Sequence, residues 1–76
     1  MKKYFFDRVG QRFSHYDFSG RDFAEPQKAY QLAQLLALDL EVAEAEEFGG
    51  GTIAVCNVAG AKLFTVPIRQ PDQIAA

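Results

Sequence analysis

Residues 26–47 read PQKAYQLAQLLALDLEVAEAEE, and the reading of this stretch decides the fold. On a helical wheel of about 100° per residue, with Ala29 as zero, Ala29, Leu32, Ala33, Leu36, Leu40 and Ala43 fall on one broad stripe. Such a stripe is the core-facing side of an amphipathic helix. A second row, Leu35, Leu38 and Val42, lies nearly opposite. Pro26 suits the first helical position, where its missing N–H is not needed. Glu25 before it is a weak cap, with Asp22 as the alternative. Gly49-Gly50-Gly51 ends the helix, since glycine serves the left-handed cap. A small sheet covers the first stripe and leaves the second for a partner chain.

Working outward, each side of the helix reads as a β-hairpin. Tyr4, Phe5 and Phe6 are strong strand formers, as are Phe13, Tyr16 and Phe18. Between them Val9-Gly10-Gln11 is the expected turn, with Gly10 free to take a positive φ. Ser19-Gly20-Arg21-Asp22 reads as a polar connection to the helix. After the glycines, residues 52–58 and 62–68 form a second hairpin turning at Ala59-Gly60-Ala61. Pro67 cannot donate to a ladder, so it belongs at a strand end or on an edge. The order ββαββ predicts an α+β fold, with a four-stranded antiparallel sheet from two hairpins and one long helix on one face. Residues 1–69 form the single domain, and 70–76 are expected to be a flexible tail.

A chain of 76 residues buries only about 60% of its unfolded surface, so one core gives slender stability. Small domains usually add disulfides, a metal or a second subunit. Cys56 and His15 are the only residues of their types. No intrachain disulfide is possible, and a structural zinc site, which prefers four Cys or His ligands, is not expected. No cofactor is expected either. Oligomerisation is left as the source of further burial. The apolar run Tyr4–Phe6 is too short for a signal peptide, and no segment is long enough to cross a membrane. A cytoplasmic location is therefore expected, and a lone cysteine suits that reducing setting.

The net charge is −2, unevenly spread: residues 1–28 hold six basic and four acidic side chains, residues 29–76 two basic and six acidic. This polarity suits pairing between subunits and does not demand nucleic acid. Glu44, Glu46 and Glu47 crowd the negative end of the helix dipole; they read as a solvated face, with a partner contact as the sharper alternative.

Tyr4-Phe5-Phe6, the Gly10 turn, Asp17-Phe18-Ser19-Gly20, the alanines at 29 and 33, and Gly60 followed by Leu63-Phe64-Thr65-Val66-Pro67 form a pattern of their own. The chain resembles a family of short alphaproteobacterial proteins known only as a domain of unknown function. The resemblance spans nearly the full length and implies this fold, but no activity, substrate or cofactor. Asp7 stands where such relatives often carry His.

Several constellations invite a chemical reading. His15 and Asp17, two apart on a strand, share one face and resemble a general base with its carboxylate. Cys56 would be the nucleophile of a Cys–His pair. Against this, Cys56 sits among Ala54, Val55 and Val58, where cysteine behaves as a small hydrophobe. Asp17 suits a turn, bonding its own backbone two residues on. Gly49–Gly51 follows a helix C-terminus and an acidic run, the wrong polarity for a phosphate loop. Lys3, Tyr4, Arg8, Arg12 and Tyr16 combine cations with sheet aromatics, the ingredients of a single-stranded nucleic-acid surface. A core beneath the helix must claim about half of those aromatics, however. The expectation is a non-catalytic interaction or regulatory module, a homodimer held by Leu35, Leu38 and Val42, by spare aromatics of the first hairpin, or by exchanged hairpins across the Gly49–Gly51 hinge. Nucleic-acid binding ranks second. An enzyme using His15, Asp17 or Cys56 ranks third.

Overall fold

A computed structural model describes residues 1–70. In chain order the elements are β1 (Lys2–Val9), β2 (Ser14–His15), β3 (Arg21–Phe23), α1 (Pro26–Ala43), α2 (Ala45–Phe48), β4 (Thr52–Asn57) and β5 (Lys62–Pro67). β1 is central: Tyr4–Val9 pair antiparallel with Asn57–Thr52 of β4. β4 pairs in turn with β5. The fold is α+β, an antiparallel sheet with one long helix against one face. The expected tail, apart from Gln70, lies outside the described residues.

The expected count of four strands is corrected to five. The return strand of the first hairpin is broken in two, and both pieces pair with the same edge of β1. Arg8 and Val9 face His15 and Ser14, while Lys2 to Tyr4 face Phe23 to Arg21. Arg21-Asp22, expected in the connection, are thus strand, and Phe18 is not. The cause is Asp17. Its Oδ2 accepts the Phe6 N–H at 3.1 Å, the bond a strand carbonyl would otherwise take, and its Oδ1 accepts the Ser19 and Gly20 N–H groups at 3.1 Å each. Gly20 closes this bend at φ 71°, a conformation that costs a side-chain-bearing residue energy.

Gly10 is also corrected. It is not among the glycines with positive φ, which are Gly20, Gly50 and Gly60. Glycine is needed there for proximity: a Cβ would stand 2.7 Å from the Phe13 carbonyl oxygen and 2.9 Å from that of Glu47. In the second hairpin the Asn57 Oδ1 accepts the N–H groups of Ala59 and Ala61 at 3.0 and 2.9 Å, so one side chain shapes the turn. Pro67 is the last residue of the edge strand β5.

The core lies between the sheet and α1. Tyr4 and Phe6 of β1, Ile53 and Val55 of β4, Val66 and Ile68 meet Ala29, Ala33, Ala37 and Leu40. The helix is rolled relative to the expected stripe: Ala37 and Glu41 are buried, Leu32 and Leu36 only partly so, and Ala43 is exposed. Glu41 tolerates burial because its Oε1 accepts the Arg69 N–H at 3.0 Å and faces the Arg69 guanidinium at 3.7 Å. The helix is also shorter than 26–47. It breaks at Glu44 (φ −136°, ψ 41°) and resumes as the single turn α2. That turn carries Phe48 inward to zero exposure, against Phe13 and His15. Glu25 caps α1 without a side-chain bond. Gly49, at φ −57° and ψ 131°, ends α2 in an extended rather than left-handed conformation.

Candidate functional site

The row expected to contact a partner stands clear of the fold. Leu35 is 64% exposed, Leu38 53% and Val42 86%. They face away from the sheet because Ala29, Ala33 and Ala37 occupy the side that meets it. Around the row lie Gln31, Gln34 and Asp39, all exposed. The result is an apolar seam with a polar border along the solvent side of α1.

A second apolar surface, on the face of the sheet that α1 leaves bare, was not anticipated as a unit. Phe5, Asp7, Tyr16, Asp17, Phe18, Cys56, Asn57, Val58 and Gly60 line a shallow depression there. Phe18 is 89% exposed and Val58 74%. The available signal was strand parity: Phe5 and Asp7 alternate with Tyr4 and Phe6, so if Tyr4 and Phe6 feed the core, Phe5 does not. Asp7 is the polar centre of this surface. Its Oδ1 accepts the Asp17 N–H at 2.9 Å, and its Oδ2 lies 3.9 Å from the Cys56 Sγ. The carboxylate at position 7 thus ties β1 to the Asp17 bend.

The sheet divides Cys56 from His15, whereas His15 and Asp17 line one depression together with Arg8, Tyr16 and Arg21. Cys56 pairs with Phe5 and His15 with Arg8; positions 5 and 8 of a strand point to opposite faces. His15 packs its ring edge-on against Phe48 at 5.4 Å, on the helix side. Cys56 is on the other side. Burial pushes its thiol pKa up, and the charge of Asp7 pushes it further, with Lys62 only partly opposing. A nucleophilic cysteine needs the reverse environment. Asp17, outside β2, shares no strand with His15. Burial acts to raise its carboxyl pKa, but the Gly20, Phe6 and Ser19 N–H groups and the Arg21 charge outweigh this and hold it below the ordinary value. Its oxygens are spent on the backbone. Among the described residues no group of three or more His, Cys, Asp or Glu is placed to hold a metal ion.

The five nucleic-acid candidates do not form one surface. Tyr4, at 2% exposure, is core and packs against Phe23, so it is unavailable to a base. Arg8 faces the helix side and pairs with Glu44 at 3.8 Å. Arg12 is exposed in the β1–β2 loop. Lys3 lies beside Phe5 on the bare face, where both would touch a Cβ at Gly20. Tyr16 borders that face at 62% exposure. No helix among the described residues is long and apolar enough to cross a membrane.

An antiparallel sheet with one long helix against one face defines a small α+β domain. Residues 3–69 match the family described as a domain of unknown function (DUF6894), and the chain belongs to that family. No curated protein and no solved structure matches it.

Proposed function

We propose that this protein is a non-catalytic interaction or regulatory module of the cytoplasm that works as a homodimer. The observation that supports this is the exposure of Leu35, Leu38 and Val42 on one line of α1. A domain this small gains from burying them, and large contiguous apolar surface on a soluble domain marks an interaction site. Light scattering across a concentration series tests the proposal: a mass near twice 8.5 kDa is expected, and a monomer at every concentration would overturn it.

Single-stranded nucleic-acid binding is the second reading. It is favoured by Phe18 and Tyr16 standing exposed near Lys3 on the bare sheet face, and opposed by Asp7 in its middle. A titration with short labelled DNA and RNA at low salt decides it. Binding that weakens steeply with added salt would support it, and no binding at low salt would end it.

A further inference from the structure

From the layout of α1 we infer that the partner is a second copy of this chain, packed helix against helix in antiparallel orientation, with the two-fold axis passing between Leu35 and Leu38. This rests on the homodimer reading and names the surface and geometry through which it acts. Leu35, Leu38 and Val42 are spaced i, i+3, i+7, the narrow seam that two helices share when side chains of one fill gaps of the other. An isologous contact requires a patch that is complementary to itself under a two-fold rotation. With the axis between positions 35 and 38, each Leu35 meets the other copy's Leu38, and each Val42 meets the other copy's Gln31. Gln31 and Val42 are both exposed and so free for this contact.

Charge selects the orientation. Lys28 is exposed in the first turn of α1, whereas Glu46 and Glu47 are exposed just beyond its last. Parallel copies would set like charges side by side at both ends. Antiparallel copies bring each Lys28 to the other's acidic end, and they align the helix dipoles head to tail. Glu46 and Glu47 gain a cationic neighbour in this way, whereas Glu44 already has Arg8 at 3.8 Å within its own chain. One helix per copy is a small contact, at the low end of interfaces that total below about 1,200 Å². The pair is therefore expected to dissociate on dilution rather than to be permanent.

Thiol cross-linking tests the geometry in a Cys56→Ser background. Three variants are oxidised under mild conditions: Gln31→Cys, Val42→Cys and the two combined. A disulfide forms only where Cα atoms come within about 7 Å, and residues 31 and 42 of one helix stand about 16 Å apart. Covalent dimer is expected only in the doubly substituted chain. Efficient cross-linking of either single variant would overturn the antiparallel arrangement. No cross-link in any variant, with a dimer mass retained in light scattering, would place the contact elsewhere and leave the homodimer reading standing. A monomer at all concentrations would remove both.

Discussion

Along α1 the side chains that meet the sheet are mostly alanines, whereas those that meet solvent include two leucines and a valine. Ala29, Ala33 and Ala37 are at most 3% exposed, and Leu35, Leu38 and Val42 at least 53%. The sheet explains the inversion. Tyr4, Phe6, Ile53 and Val55 already fill the centre of the layer between helix and sheet, so the helix inserts Leu40 there and packs Tyr30, Leu32 and Leu36 only partly against it. Small side chains let its backbone close on those large ones, and interiors pack to crystal-like density. Which face of an amphipathic helix is buried is thus set by how well the volumes fit as well as by hydrophobicity.

Four perturbations break or sharpen this contrast. Leu40→Ala truncates the one large apolar side chain of α1 that is fully buried and should cost about 2–5 kcal/mol in chemical denaturation. Ala33→Leu adds bulk where none fits and should cost about 1–3 kcal/mol by the same measurement; a neutral result would mean that the alanine face is not tightly apposed. Asp17→Asn addresses the broken sheet edge independently of the helix. A carboxyl whose folded pKa is depressed contributes stability that is present above its unfolded pKa and is lost as pH falls through the folded value. The gap in melting temperature between wild type and variant should therefore be open at neutral pH and should close in acid. A pH-independent gap would assign the effect to geometry alone. Leu38→Glu, on the outer face, should change the stability of the isolated chain by no more than about 0.5 kcal/mol. Its effect should appear in mass instead, as loss of the dimer in light scattering.

The sequence disclosed the helix, the two hairpins and the exposed row because each rests on local signals: Pro26 at the helix start, glycines after it, and the positions of Leu35, Leu38 and Val42 on the wheel. It did not disclose the split of the first return strand. Residues 13–18 have strand composition throughout, and only the non-local bond from the Phe6 N–H to Asp17, eleven residues away, shows why they cannot all pair. The roll of α1 was hidden for a related reason. Leu32 and Leu36 outrank Ala37 in hydrophobicity, yet the sheet's own bulk determines which residues fit beneath it. The break at Glu44 accompanies the packing of Phe48 against Phe13 and His15, a contact distant in sequence. Among candidate site residues, Tyr4 was misread because periodicity does not say which of two strand faces the helix will cover. The parity that separates Cys56 from His15 depends on register, which only the assembled sheet fixes.

The pairing of β1 with β4 also imposes an order of events on synthesis. Tyr4 to Val9 leave the ribosome early, but their permanent neighbours, Thr52 to Asn57, come some fifty residues later, and until then only the short β2 and β3 are at hand. At translation rates of about 5–20 residues per second, the aromatic first strand waits for seconds with one edge bare. Unpaired edges of that kind recruit other strands. Expression level and chaperone supply, rather than the strength of the finished fold, are then expected to govern how much of the nascent chain escapes aggregation.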